Sequence, residues 1–222
     1  MIGVTVPRVG VLSLQGDFAR HRASLEALGV EAVRVVLPEH LQGLDALVMP
    51  GGESTTMTRL MTTSRLREPL AAFVRVKPVM GTCAGVILLG GDAGRLPEPP
   101  FGVLDVSVER NAYGRQIDSF EADLDTTLPG GRYHGVFIRA PRIMRVGRGV
   151  EIVASRPATR GESAETVGVR QGNVVGLCFH PELTSDLRFH RWFLSQVAGL
   201  SWAMHEDGAV TVGREPGREP RP

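Results

Sequence analysis

The stretch Val79-Met80-Gly81-Thr82-Cys83-Ala84-Gly85-Val86-Ile87-Leu88-Leu89 holds a short apolar strand, a glycine-flanked cysteine and an apolar helix with no charge between them. It predicts a strand over Val79 to Gly81 that reverses into a helix over Val86 to Leu89. A buried strand that feeds a helix is one unit of a parallel sheet covered on both faces. The segments before it repeat the unit. Val9 to Leu14, Ala32 to Val36 and Ala46 to Met49 are apolar runs of strand length, interleaved with helical patterns over Phe18 to Leu28, Thr55 to Met61 and Pro69 to Val76. The first helix is expected to stop at Gly29.

The second half reads differently. Val103 to Val108, Tyr133 to Ile138, Val150 to Ala154, Thr166 to Arg170 and Val174 to Phe179 are short strand-like runs between turn residues, closed by a helix from about Leu187 to Val197. The expectation is an α/β fold with a mostly parallel sheet and antiparallel additions in the second half. Residues 1–203 are read as one domain. Residues 204–222 turn to charge, glycine and proline, ending in a Gly-Arg-Glu-Pro repeat, and are expected to form a disordered tail.

Composition narrows the function classes. The 222 residues carry Lys+Arg 25 against Asp+Glu 24, a net charge of +1, and Lys77 is the only lysine. That balance favours neither a nucleic-acid binder nor a chain held on anionic lipid. Two cysteines, Cys83 and Cys178, cannot build a disulfide framework and suit a reducing compartment. The longest uncharged stretch through the middle of the chain, Pro78 to Gly91, is too short to span a bilayer and is broken by glycines. The N-terminus lacks the positive region of a signal peptide. A cytoplasmic protein is expected.

Gly81-Thr82-Cys83-Ala84-Gly85 has the Gly-x-nucleophile-x-Gly form of a strand-to-helix elbow. A thiol there meets the unpaired N–H groups and the dipole of the helix start, which favour thiolate. By itself the pentapeptide suits a buried structural cysteine equally well. His180-Pro181-Glu182 supplies a base and an orienting carboxylate at the end of the predicted strand Val174 to Phe179, where residues two apart in extended chain face the same way. Together with Cys83 they make a nucleophile, base and orienter set. Pro50-Gly51-Gly52-Glu53-Ser54-Thr55 follows the strand Ala46 to Met49; its glycines allow a backbone N–H to meet an oxyanion, assisted by the N–H of Ala84. Ser54 or Thr55 is expected to cap the next helix. No Cys or His spacing suggests a metal site. Arg142, Arg145 and Arg148, three residues apart, read as solvated or interface charge.

These pieces, in this order, resemble the class I (triad) glutamine amidotransferases over nearly the whole chain up to about Trp202. Further stretches are similar to the glutaminase subunits of pyridoxal 5'-phosphate synthases within that family: Leu14-Gln15-Gly16-Asp17, Val108-Glu109-Arg110-Asn111-Ala112-Tyr113-Gly114-Arg115-Gln116, Ser119-Phe120-Glu121, Phe137-Ile138-Arg139-Ala140-Pro141 and His180-Pro181-Glu182-Leu183. The resemblance implies a three-layer, flavodoxin-like sheet. It also implies Cys83 as nucleophile, His180 as base and Glu182 as its orienter. Gly52 and Ala84 would form the oxyanion hole. L-glutamine would be held by Gly52, Glu53 and Ser54, by Arg110, and by Ile138 and Arg139, an arginine suiting the substrate carboxylate and Glu53 its ammonium or amide. The implied activity is hydrolysis of glutamine through a cysteine thioester, with ammonia passed to a TIM-barrel synthase subunit in a hetero-oligomer, without cofactor or metal. Other readings stay open: the glutaminase subunit of another synthase such as imidazole glycerol phosphate synthase, a self-sufficient γ-glutamyl hydrolase, and a non-catalytic flavodoxin-like binding protein.

Overall fold

The computed structural model describes residues 6–94, 96–110, 112, 119–158 and 163–202. The expected tail at 204–222 and most of the run 111–118 lie outside the described residues.

The apolar runs of the first half assemble as a parallel sheet. β1 (Arg8–Leu12) pairs with β2 (Glu31–Val35) and β3 (Ala46–Met49), β3 with β4 (Val79–Thr82), and β4 with β12 (Val174–Leu177), all in parallel. β3, β4 and β12 are buried along their whole length, which is why their sequences are continuously apolar rather than alternating. From β12 the sheet turns antiparallel through β11 (Glu165–Gln171), β10 (Glu151–Arg156), β7 (Ser119–Thr126) and β8 (Tyr133–Ile138), so the order is β2-β1-β3-β4-β12-β11-β10-β7-β8. A second sheet joins β5 (Gly90–Asp92), β6 (Leu104–Glu109) and β9 (Arg142–Val146).

The helices lie on both faces, and β4 shows which lies where. A Cβ added at Gly81 would sit 2.6 Å from the backbone of Gly85 and 2.7 Å from Leu89, both in α4 (Ala84–Leu89). The next side chain, Thr82, meets His21 of α1 (Phe18–Ala27) at 3.1 Å. Successive side chains on a strand point to opposite faces, so α4 covers one side and α1 the other. α5 (Arg188–Trp192), which continues into a π-helical turn over Phe193–Val197, joins α1 through a 3.0 Å His21–His190 contact. The second sheet lies on the α4 side, since Leu104 would meet a Cβ on Gly176 at 2.8 Å. α2 (Ser54–Thr63) and α3 (Arg67–Val76) bury residues at helical spacing: Met57, Thr58 and Met61 in one, Leu70, Phe73 and Val74 in the other.

Several readings need correction. β5, β7 and β9 were absent from the strand pattern. β7 exposes all of its charged positions and buries only Leu124, so no apolar run marks it. Of the three arginines expected as solvated or interface charge, Arg145 and Arg148 are exposed as expected, whereas Arg142, on β9, turns to a buried carboxylate. Arg142 Nε lies 2.7 Å and Arg156 Nη2 2.8 Å from the buried carboxylate of Glu165, an ionic bracket that ties the second sheet to the first. Arg145 pairs with Asp105 on the neighbouring β6. Phe120 of β7 stacks on Phe137 of β8 with ring centroids 4.5 Å apart. Beyond that pair, Val136 O accepts from His180 N at 2.8 Å, so the end of β8 arches back over the end of β12.

Candidate active site

The elbow forms as a strained turn. Cys83 sits between β4 and α4 at φ 49 and ψ −106, a conformation that costs a non-glycine residue of order 1–3 kcal/mol and clusters at functional sites. The glycines around it make the geometry possible. Gly81 and Gly85 lie against each other, and a Cβ on Gly85 would come within 2.2 Å of Met49 O. Helix α4 therefore starts directly above β3, with Cys83 as its N-cap residue and Ala84 at its first turn, where N–H groups lack intrahelical acceptors. Cys83 Sγ donates to Ile138 O at 3.8 Å.

His180 and Glu182 meet as expected but by a different backbone route. The expectation was extended chain; the structure has a 3₁₀ turn over Pro181–Leu183 with His180 as its N-cap. Proline at the first position of the turn fixes that geometry. His180 Nδ1 and Glu182 Oε1 are 2.7 Å apart, and both residues are buried. Burial opposes charge on His180, yet the neighbouring Cys83 thiol and the Glu182 carboxylate outweigh it and raise its pKa to about 10. Burial likewise disfavours the Glu182 carboxylate, but the charge of His21 and the hydrogen bond from His180 hold it well below the usual carboxylate range. Glu182 is ionised and acts as acceptor. Around this pair Tyr133, Phe179 and Phe189 pack edge to face, with centroids 4.8 Å apart for Tyr133–Phe189 and 5.1 Å for Phe179–Phe189.

Cys83 and His180 line a cavity of about 260 Å³, and so do Gly52, Glu53, Ser54, Arg110, Ile138 and Arg139. Glu182 and Ala84 lie behind its wall, one beneath His180 and the other within the start of α4. Arg110 Nη1 reaches Thr55 Oγ1 at 3.4 Å, which aims it across the mouth of α2. Arg139 takes φ 43 at the end of β8.

Glu53 lines the cavity and has a further role at the start of α2. Its carboxylate accepts from Thr55 N at 3.0 Å, Thr56 N at 2.6 Å and Thr56 Oγ1 at 2.5 Å. Partial burial works against the ionised form, but these bonds prevail and lower its pKa to about 2. Glu53 is thus the N-cap of α2, the role expected of Ser54 or Thr55, because an anion at a helix N-terminus satisfies several unpaired donors at once.

Other lining residues were not among the expected contacts: Gln15, Gly16, Asp17, Gly51, Ile87 and Leu183. Gln15 Oε1 accepts from Glu53 N at 2.7 Å. Gly16, at φ 94, packs so closely that an added Cβ would fall 1.7 Å from Gly51 O. A Cβ on Gly51 would lie 2.4 Å from His180 Cε1 and 3.1 Å from Cys83 Cβ. The available signal was position: Leu14-Gln15-Gly16-Asp17 follows the first strand, at the carboxyl edge where parallel sheets place their sites.

Cys178, the other thiol, is fully enclosed, and burial, with the proximity of Cys83 and Glu165, pushes its pKa far up. Such a thiol stays protonated and inert. Among the described residues no cluster of His, Cys, Asp or Glu is arranged to hold a metal ion, and no helix is long and apolar enough to cross a membrane.

Residues 11–199 match the SNO glutamine amidotransferase family. The chain is 48% identical over 191 residues to the pyridoxal 5'-phosphate synthase subunit PdxT of Geobacillus kaustophilus, covering 86% of this chain and 94% of that protein. It is 47% identical over 202 residues to the protein of the same name from Rhodococcus opacus, covering 89% and 100%. A crystal structure described as a glutamine amidotransferase superposes with a TM-score of 0.76 at 48% identity, covering 89% of this chain and 100% of the other. The PurLQS structure of Thermotoga maritima, at 19% identity and a TM-score of 0.63, covers 86% and 99% and shares the fold. With a family match across most of its length and relatives at this identity, the chain belongs to the SNO glutamine amidotransferase family.

Proposed function

We propose that this chain is the glutamine-hydrolysing subunit of a pyridoxal 5'-phosphate synthase, working in the cytoplasm beside a TIM-barrel synthase subunit. The observation that carries the reading is one cavity lined by Cys83 and His180, with His180 backed at 2.7 Å by the ionised Glu182, in a chain 48% identical to a named synthase subunit.

Cys83 Sγ attacks the side-chain amide carbon of glutamine, while the Gly52 and Ala84 N–H groups stabilise the oxyanion that forms. His180, protonated by the thiol, passes that proton to the departing nitrogen, and ammonia leaves a γ-glutamyl thioester on Cys83. A water molecule, deprotonated by His180, hydrolyses the thioester to glutamate and restores the thiol. Glu182 holds His180 in the tautomer that presents Nε2 to the sulfur and stabilises the imidazolium. Arg110 and Arg139 take the substrate carboxylate. Glu53 acts through its cap on α2, which sets the loop Gly51–Ser54 against the cavity, rather than by direct ion pairing with substrate. The elbow and the cavity support this reading over a non-catalytic flavodoxin-like protein, which needs no strained cysteine beside a carboxylate-backed histidine.

The test is glutamate and ammonia release at saturating glutamine, by the chain alone and with the synthase subunit. Release that rises when the synthase subunit is added is the expected result, since Gly51-Gly52 can present its peptide in either of two orientations until a partner selects one. A single missing oxyanion donor costs roughly 2.7–4 kcal/mol, enough to silence the isolated chain. Absence of glutamine hydrolysis in both conditions would overturn the proposal.

A further inference from the structure

Behind the cavity lies a buried histidine pair for which the thioester mechanism gives no role. Glu182 presents one oxygen to His180; the other, Oε2, lies 3.1 Å from His21 Nε2. His21 comes from α1, far away in sequence, and both it and Glu182 are shut off from solvent. The same Nε2 makes its aligned hydrogen bond to Thr82 Oγ1, also at 3.1 Å, in the residue before Cys83, so Glu182 Oε2 meets His21 as a close polar contact and has no aligned hydrogen bond of its own among the described residues. On the opposite side of the ring, His21 Nδ1 lies 3.0 Å from His190 Nε2, and His190 Nδ1 has no hydrogen-bond partner among the described residues.

Protonation follows from these contacts. Glu182, an anion, only accepts, as an ionised carboxylate must. His21 Nε2 therefore carries the hydrogen that faces Glu182 and Thr82. Burial, with the charge of His21 beside it, lowers the pKa of His190 to about 3, so its ring is neutral. Whichever of the two rings supplies the hydrogen between Nδ1 and Nε2, His21 is held by both its nitrogens.

We propose that His21, backed by His190, is a positioning residue for the triad: it anchors the second oxygen of Glu182 and so keeps that carboxylate turned toward His180. The inference rests on the assignment of Cys83, His180 and Glu182 made above. A carboxylate held by one oxygen can rotate about its last side-chain bond; one held by both cannot, and the imidazole it orients inherits that order. The rival role is a structural pin between α1 and the sheet. A pin would affect stability and leave the chemistry of folded molecules alone.

The full-length chain supplies a readout that needs neither glutamine nor the synthase subunit: the pH dependence of Cys83 alkylation by iodoacetamide, with Cys83→Ala as the blank. The titratable groups around Glu182 are His180 beside it, His21 from α1, His190 from α5 and Tyr133 from β8. His21→Leu is expected to move the alkylation profile toward alkaline pH. With the synthase subunit present, it should lower kcat about 10-fold, the scale of one lost hydrogen bond to a charged group, with KM changed less than about 2-fold. His21→Gln places an amide nitrogen near Nε2 and should recover most of the rate. His21→Asn places it near Nδ1 and should not.

A folded His21→Leu variant with the wild-type profile and kcat would overturn the inference. If that variant does not fold, equal rates for His21→Gln and His21→Asn would overturn it instead. His180→Ala separates the two levels: if it leaves alkylation and turnover unchanged, the triad assignment itself fails. Loss with His180→Ala but not with His21→Leu removes the positioning role alone.

Discussion

Two buried glutamates show how partners decide what a carboxylate does. Glu165, on β11, is answered by Arg142 from the second sheet and Arg156 from β10, at 2.7 and 2.8 Å. Glu182 is answered by His180 and His21, at 2.7 and 3.1 Å. A guanidinium keeps its proton at any pH a folded protein meets, so the Glu165 cluster is a permanent lattice of charge whose product is rigidity. An imidazole can give its proton away, so the Glu182 cluster pairs comparable burial with a movable proton. The first suits a joint between sheets, the second a catalytic centre.

The sharpest way to break the comparison is to remove the movable proton. His180→Ala should lower kcat for glutamine by about 10²–10⁴-fold per folded molecule, beyond any loss of stability from taking a partner away from the buried Glu182 carboxylate. Glu182→Gln should cost less, since a hydrogen-bond partner remains and only the charge is lost. Cys83→Ala should abolish hydrolysis, and Cys178→Ser should leave it nearly intact. Equal loss with both cysteine variants, in folded protein, would misassign the nucleophile.

Glu165→Ala should do the reverse, leaving two arginines without their shared anion. It is expected to lower the unfolding free energy, measured by urea titration, with kcat per folded molecule unchanged. A fall in kcat without a fall in stability would show that the two clusters are not separable in this way.

Gly51→Ala probes the contact between the glycine loop and the catalytic pair. With the new Cβ 2.4 Å from His180 Cε1, the ring or the loop must shift, and a misplacement near 1 Å can cost about 10²-fold in rate. Glutamine turnover should drop on that scale, and stability should change little. A wild-type rate would mean that the loop yields and the histidine does not.

Acid should separate the clusters more gently. His190 has a folded pKa of about 3, below the ordinary histidine value near 6.5, so below that value the unfolded chain binds a proton that the folded chain refuses. Its contribution to stability is therefore present above about pH 6.5 and is lost as pH falls toward 3. Glu182, also depressed, adds to the loss below about pH 4.5. The slope is about 1.4 kcal/mol per pH unit for each proton taken up. His180, whose folded pKa is raised to about 10, works the other way in this window, since the folded chain already holds the proton that the unfolded chain takes up near pH 6.5. Unfolding free energy measured between pH 7 and 5 should fall in the wild type and level off or rise in His190→Gln; an unchanged slope would mean that another group carries it. The smallest effect is expected from deleting residues 208–222, whose glycine, proline and charge offer little apolar surface to bury. The melting temperature and glutamine turnover should both stay the same.

Much of the architecture was legible in the sequence because burial on both faces leaves a mark. Ala46–Met49 and Tyr133–Ile138 form strands over the residues read for them, and α1 stops before Gly29 as expected. The elbow was legible because only glycines permit approaches such as that of Gly85 to Met49 O. What folding alone decided depends on partners distant along the chain. β7 and β9 are defined by the strands beside them rather than by any apolar run of their own. The carboxylate of Glu53 was committed to the α2 cap by two threonine N–H groups and a hydroxyl, which its residue type could not reveal. His21 sits on a helix face with Ser24 and Leu25 and, read locally, is one more buried position. Its place beside Glu182 exists only because α1 packs so that its ring reaches the end of the strand that leads into Cys83. Local pattern records which side chains leave water; which of them meet is set by how the layers stack.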